Sequence, residues 1–239
     1  AQYDSRATLA YVKEQAQGPV NLGLVAMAIP VSRGEIDYAE GLAREEGMNV
    51  VGKEVIPPPT PAYTPFATNL ESAGANWVYA WAPWVTQVRT LESLRQLGWD
   101  GEVIAWAHLE AEGELARLKD EKLQVIGANA LFAEGLPIHK EIEEAVEAAG
   151  SSYPANQMAE GWIAGMVIEA ALREAGPGAD SAKLLEAMKS LEVDTKGLRG
   201  GPIQWTADNH FRTSQSYRVY KWSGDGIQTV RDWQAYDVK

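Results

Sequence analysis

The side chains able to do chemistry are few and scattered. The chain has no cysteine, which removes thiolate nucleophiles, disulfides and cysteine-bound metals together. Three histidines are present, His108, His139 and His210. His108-Leu109-Glu110 has the H-x-E spacing of zinc deaminases, but the paired cysteines that complete such a site do not exist here. His108 with Glu110 and Glu112 is a carboxylate-rich cluster at the start of a helical segment, where acids suit the helix dipole better than a metal. His139 and His210 lie on other segments and read as surface or structural residues. Glu141, Glu143, Glu144 and Glu147 read as one solvated helix face rather than an acid–base pair. Gly200-Gly201, set between Arg199 and Pro202, reads as a turn and not a phosphate loop, and no G-x-S-x-G elbow occurs. No catalytic residue, cofactor or metal is assigned, and the chain is not expected to be an enzyme.

Tryptophan is the unusual component, nine in 239 residues. Three of these, Trp81, Trp84 and Trp106, fall at or just past the ends of apolar runs that read as strands. Such rings suit an apolar, aromatic or cationic solute through stacking and cation–π contact. The alternative is that they fill space under neighbouring helices.

Their placement depends on the elements that carry them. Leu22-Gly23-Leu24-Val25-Ala26-Met27-Ala28-Ile29 is a continuous apolar run, the mark of a strand covered on both faces. Further strands are expected at 49–55, 77–81, 102–105 and 123–126. Helices are expected between them at 35–46, 64–73, 84–97 and 110–118, with one before the first strand at 5–15. Gly47 and Gly98 read as helix stops, and Thr64-Pro65 as a cap followed by a first-turn proline. This alternation predicts α/β, a doubly wound and mainly parallel sheet with right-handed crossovers. In such a sheet ligands bind beyond the carboxyl ends of the strands. That rule nominates the loops Pro30-Val31-Ser32-Arg33, Ala82-Pro83-Trp84 and Trp106-Ala107-His108, so the expected ligand-binding residues are Trp84, Trp106, His108, Val31, Ser32 and Trp81.

After residue 133 the rhythm changes. Helices are expected at 138–149, 155–175 and 181–191, the middle one presenting Met158, Trp162, Met166 and Ala170, with Gly161 and Gly165 allowing a close neighbour. A β-hairpin follows over 214–222 and 227–233, turning at 223–226. These helices have apolar faces but no parallel strands of their own. The expected division is therefore a complete α/β lobe, 1–133 with 213–239, and the helical returning part of a second lobe, 134–212.

The net charge is −12, with 33 acidic and 21 basic residues, so nucleic acid and anionic membrane surfaces are poor partners. The longest apolar run, 22–31, is far short of the ~20 residues that span a bilayer. The start, Ala1-Gln2-Tyr3-Asp4, has no basic residue or apolar core of a secretory signal.

Several segments, weak singly and specific as a set, resemble the branched-chain amino-acid type of periplasmic solute-binding protein of ABC transporters. They are 33–51, from Arg33-Gly34-Glu35 to Asn49-Val50-Val51; Tyr63-Thr64-Pro65-Phe66 with Ala75-Asn76-Trp77-Val78-Tyr79; and Gly201-Pro202-Ile203-Gln204-Trp205 with Tyr217-Arg218-Val219-Tyr220-Lys221-Trp222 and Asp225-Gly226. The resemblance covers essentially the whole chain, but lacks most of the family's N-terminal lobe. It implies capture of a small amino-acid-like or aromatic or amide solute in an interlobe cleft, and delivery to a membrane permease. It also implies a periplasmic or extracellular setting, with lipid anchoring or an upstream signal peptide. The partner for the helices at 134–212 would be the missing lobe or a second chain. The family places an aromatic residue near Val31 and another at Trp84, while its ammonium-binding acid falls at Ala107, beside His108. A cleft enzyme and an intracellular ligand sensor of the same fold are the alternatives.

Overall fold

The computed structural model describes residues 2–107, 109–205 and 214–237. The chain divides into two compact units, Ala1–Gly127 with Val219–Asp232, and Ala128–Arg218 with Trp233–Lys239. The expected helical segment at 134–212 lies within the second.

The first unit alternates helix and strand: α1 (Gln2–Gln15), β1 (Asn21–Met27), α2 (Pro30–Glu45), β2 (Asn49–Ile56), α3 (Thr64–Ser72), β3 (Trp77–Trp81), α4 (Trp84–Gln96), β4 (Glu102–Trp106), α5 (Ala111–Leu118) and β5 (Leu123–Gly127). The strands run in the order β2-β1-β3-β4-β5, and all four neighbouring pairs are parallel. The expected α/β class and mainly parallel sheet are therefore what the chain forms. β3 and β5 are buried at every residue, and β1 at all but its ends, because helices cover both faces. Leu22, Leu24 and Val25 are fully buried, each side chain stabilising the fold by about 1.5–3 kcal/mol.

Gly23 of β1 pairs with Gly52 of β2. A Cβ built on Gly23 would lie 2.9 Å from Leu70 Cδ2, and one on Gly52 3.2 Å from the same atom. The paired glycines form the recess that lets α3 press Leu70 onto the sheet.

Helix starts differ from the sequence reading. Ile29 is extended (φ −123°, ψ 150°) and Pro30 occupies the first turn of α2, so the expected loop at 30–33 is helical. Proline suits that position because its missing N–H would have no partner there. At α3 the preceding residue is Tyr63, and Thr64 is already helical and makes no side-chain cap.

The second unit contains α6 (Pro137–Ala148), α7 (Ala159–Ala175), α8 (Ser181–Lys189), β6 (Glu192–Val193) and β7 (Ile203–Gln204). Residues Ala155–Met158, expected as part of one long helix, form a separate 3₁₀ turn. The two short strands pair antiparallel, Val193 opposite Ile203. Ile138, Ile142, Ile163, Val167, Val193, Leu198 and Ile203 close into a core, with Met158, Trp162 and Trp205 against it. The helices thus bury part of their apolar surface on one another. No atom lies within 4 Å of a Cβ built at Gly161 or Gly165, so among the described residues neither holds a close neighbour. The terminal hairpin, β8 (Ser214–Ser223) and β9 (Gly226–Asp237), follows β5 in the strand order and turns at Gly224 (φ 63°).

Candidate functional site

Strand order reverses between β1 and β3, where the chain goes outward to β2 on one side and β4 on the other. A doubly wound sheet opens a crevice at such a point, beyond its carboxyl ends. At this edge Trp81, the last residue of β3, lies flat against Trp106, the last residue of β4. Their ring centroids are 4.6 Å apart and the planes 19° from parallel.

Polar side chains hold this pair from behind. The Trp81 indole N–H donates to Asp4 Oδ2 of α1 at 3.0 Å. Ser32 Oγ donates to the Trp81 carbonyl at 2.5 Å and accepts from the Met27 amide at 2.9 Å, tying the ends of β1 and β3 together. Gln87 of α4 does the same for β3 and β4. Its Nε2 donates to the carbonyls of Ala82 (2.9 Å) and Trp106 (3.0 Å), and its Oε1 accepts from the Trp106 amide (2.9 Å). Trp81, Asp4, Ser32 and Gln87 are buried, whereas Trp106 keeps partial exposure.

Beneath lies a second buried carboxyl. Glu35 Oε1 accepts from Ser5 N (2.9 Å) and Ser5 Oγ (2.5 Å), and Ser5 Oγ is 3.4 Å from the Tyr79 hydroxyl. Glu35 Oε2 has no hydrogen-bond partner. Burial holds the Glu35 carboxyl above its ordinary pKa against the pull of the Ser5 hydrogen bond, with the charge of Asp4 adding to the rise. The same burial, with the charges of Glu35 and Asp4, pushes the Tyr79 phenol well up.

The six expected site residues separate into groups. Trp81 and Trp106 meet directly. Ser32 serves the backbone of that pair with its hydroxyl already used twice. Trp84 opens α4, its ring nitrogen buried without a partner, and lines a groove of about 580 Å³ with Pro83, Val85, Glu110 and Glu114. Guanidinium groups of this groove are paired, Arg89 to Glu92 (3.0 Å) and Arg117 to Glu92 (2.9 Å) and Glu114 (2.5 Å). Val31 is 55% exposed on the first turn of α2. His108 lies outside the described residues, as does His210.

Asp4, Gln87 and Glu35 were not legible as site residues. Asp4 meets Trp81 across 77 positions, and no local pattern announces such a bond. Gln87 gave no such signal either, since the buried side of α4 also carries Thr86, Thr90 and Ser93. His139, expected as surface or structural, is buried: its Nδ1 accepts from the Leu136 amide (3.2 Å) and its ring stacks on Phe132 at 4.2 Å. Burial lowers its pKa, keeping it neutral. Among the described residues, no group of three or more His, Asp or Glu side chains is placed to hold a metal ion. No helix among them is long and apolar enough to cross a membrane.

Comparison with known proteins gives a consistent picture. A family profile described as "Periplasmic binding protein" matches residues 1–227. A branched-chain amino-acid ABC transporter protein from Thermus thermophilus, with bound valine, superposes with a TM-score of 0.83 at 16% identity, covering 96% of this chain and 64% of its own. A fatty acid ABC transporter substrate-binding protein from Thermomonospora curvata gives 0.78 at 16% identity, covering 100% and 63%. An ABC transporter substrate-binding protein from Sphaerobacter thermophilus gives 0.75 at 20% identity, covering 99% and 65%. The chain thus spans less than two thirds of the length of each. A search of curated proteins gives no match.

Proposed function

This chain belongs to the periplasmic binding protein family, and on that premise we propose that it is the solute-binding component of an ABC importer. The observation that carries this reading is the Trp81–Trp106 pair at the switch point of the sheet, held by Asp4, Ser32 and Gln87. Three buried polar side chains spent on orienting two rings is more than core filling requires.

The solute is small and amino-acid-like, aromatic or amide in character, and lies on the partly exposed Trp106; Trp84, which lines its own groove, and the exposed Val31 belong to the same proposed set. His108 belongs to the same proposed set by its place after β4. Ala107 stands where an acid would bind the ammonium of a plain α-amino acid, which favours a solute recognised by its flat or apolar body. The binding mechanism is capture with closure: a solute favours the closed state only through contacts made there and not in the open one. A permease receives it, in a periplasmic or extracellular setting. No step of this assigns catalysis to the chain.

We propose further that α7 and α8 meet a sheet supplied from outside these 239 residues, by an N-terminal lobe or a second chain. Ile168, Leu172 and Leu185 are each about half exposed or more on those helices, a face that favours burial. Solute binding by the 239-residue chain alone is then weak, and strengthens when the upstream coding sequence is restored. Calorimetry on the lengthened protein tests the assignment. Trp106→Ala and Trp84→Ala should weaken binding of its solute, and unchanged affinity in both would refute it.

A further inference from the structure

A buried histidine fastens the start of α6, independently of the solute reading above. α6 begins at Pro137, so Leu136 is the residue before the helix and His139 the third within it. The two are tied in both directions. The His139 amide donates to the Leu136 carbonyl at 2.9 Å, and the Leu136 amide donates to His139 Nδ1 at 3.2 Å. A glutamate or glutamine ordinarily fills this third position and reaches back to the same amide. Here an imidazole makes that bond, and unlike a glutamine it takes up a proton in the mildly acidic range. Ile138 and Ile142, on either side of His139 along α6, belong to the second unit's core, so the first turn of α6 and that core are held together.

Accepting at Nδ1 fixes the neutral ring as the tautomer with its hydrogen on Nε2, which leaves Nδ1 as the place for an incoming proton. The protonated ring would set an N–H against the Leu136 N–H and would carry its charge at a position only 3% exposed. It must then leave the cap and its stack on Phe132, the first residue of the 3₁₀ turn Phe132–Glu134. Two carboxylates favour the imidazolium, Glu134 of that turn and the exposed Glu143 one turn along α6. Arg218 of β8 is paired to Glu134, and Lys196, from the loop after β6, to Glu141 at 3.2 Å. Burial outweighs the pull of Glu134, Glu143 and the Phe132 backbone, so folding favours the neutral ring. The cap's contribution is therefore fully present above the ordinary histidine value of about 6.5, and is lost as pH falls through the lower folded value.

We infer that His139 is an acid-operated latch: the neutral ring fastens Leu136 to the first turn of α6, and a proton taken up at Nδ1 releases it. The 239-residue chain, isotope-labelled, is taken from neutral to acid pH and followed by NMR. The ring nitrogens report tautomer and protonation, and hydrogen exchange reports the Leu136 amide. Protection of that amide, corrected for the pH dependence of exchange itself, should fall about tenfold for each pH unit below the midpoint of the ring, as the neutral fraction does. The Lys183 amide, held by Asp180 Oδ1 at 2.9 Å at the start of α8, should keep its protection. It separates release of one cap from loosening of the whole unit. His139→Gln keeps an acceptor at the cap without the titration and should hold Leu136 protected throughout, whereas His139→Ala should release it at every pH. The titration of the parent chain decides the matter even where a variant fails to fold. The inference is overturned if Leu136 stays protected after the ring has protonated, if the neutral ring carries its hydrogen on Nδ1, or if Leu136 and Lys183 are released together. Equal acid release in His139→Gln would overturn it as well, and would pass the role to Glu134 or Glu143.

Discussion

Replacing Gln87 by leucine tests whether the ends of β3 and β4 depend on one side chain. Leucine nearly matches glutamine in volume, so the change removes hydrogen bonds without opening a cavity. Three are lost: Nε2 to the Ala82 and Trp106 carbonyls, and the Trp106 amide to Oε1. A typical bond is worth a net 0.5–1.5 kcal/mol, roughly, and an orphaned buried group costs about 1–3 kcal/mol. The partly exposed Trp106 backbone can recover some water, so the sum settles near 3 kcal/mol rather than at the upper limit. For a chain of this size each kcal/mol lowers the melting temperature by about 2–4 °C, which gives about 6–12 °C. Thermal unfolding followed by circular dichroism reads the shift, and near-ultraviolet dichroism reads the loosened Trp81–Trp106 pair. Gln87→Glu should also destabilise, since it keeps an acceptor for the amide but turns oxygen toward two carbonyls. A Gln87→Leu protein within about 0.5 kcal/mol of the parent, the range of an ordinary surface change, would refute the bridging role.

Other perturbations address separate parts of the account. Glu35→Gln should stabilise the chain at neutral pH, with the advantage fading as pH falls. The sign follows from the raised folded-state pKa of Glu35: its protonated form is favoured by folding, so its contribution is fully present below the unfolded pKa and lost as pH rises through the folded value. Urea unfolding across the acid-to-neutral range would show it, and an advantage that grows toward acid would contradict it. Gly23→Ala should cost about 1–3 kcal/mol, because its Cβ would meet Leu70 Cδ2 at 2.9 Å and Val78 Cγ2 at 3.3 Å; denaturant titration measures this. Ile142→Ala, at a fully buried position of the second unit's core, should cost about 2–5 kcal/mol in the same assay.

The parallel sheet was legible because its strands are continuous apolar runs between helical stretches, a pattern that burial on two faces dictates. Helix entry was read less well where proline stood first: Pro30 looked like the end of a strand loop, yet its fixed φ and missing N–H place it in the first turn of α2. β6 and β7 were missed since two residues each leave no periodicity to detect, and Val193 and Ile203 meet only through the fold. The positions of Trp81 and Trp106 at the ends of β3 and β4 were legible from the apolar runs that precede them. Asp4 and Gln87 were not, because Asp4 meets Trp81 across 77 positions and the three bonds of Gln87 go to backbone groups, neither of which leaves a local sequence pattern. Ser32 was expected to face solute and instead binds backbone on both sides.

The claim that the carboxyl edge of this sheet is where solute binds is tested most directly by mapping NMR shifts along the whole chain during titration with a broad solute panel. Solute binding at this edge should first move the indoles of Trp81, Trp84 and Trp106 and the amides of Val31, Ser32, Ala82 and Trp84. A competing recess of about 250 Å³ in the second unit, lined by Arg199, Gln204, Ser214 and Ser216, gives the contrasting outcome. Shifts confined to that recess, with the tryptophan edge silent, would contradict the account.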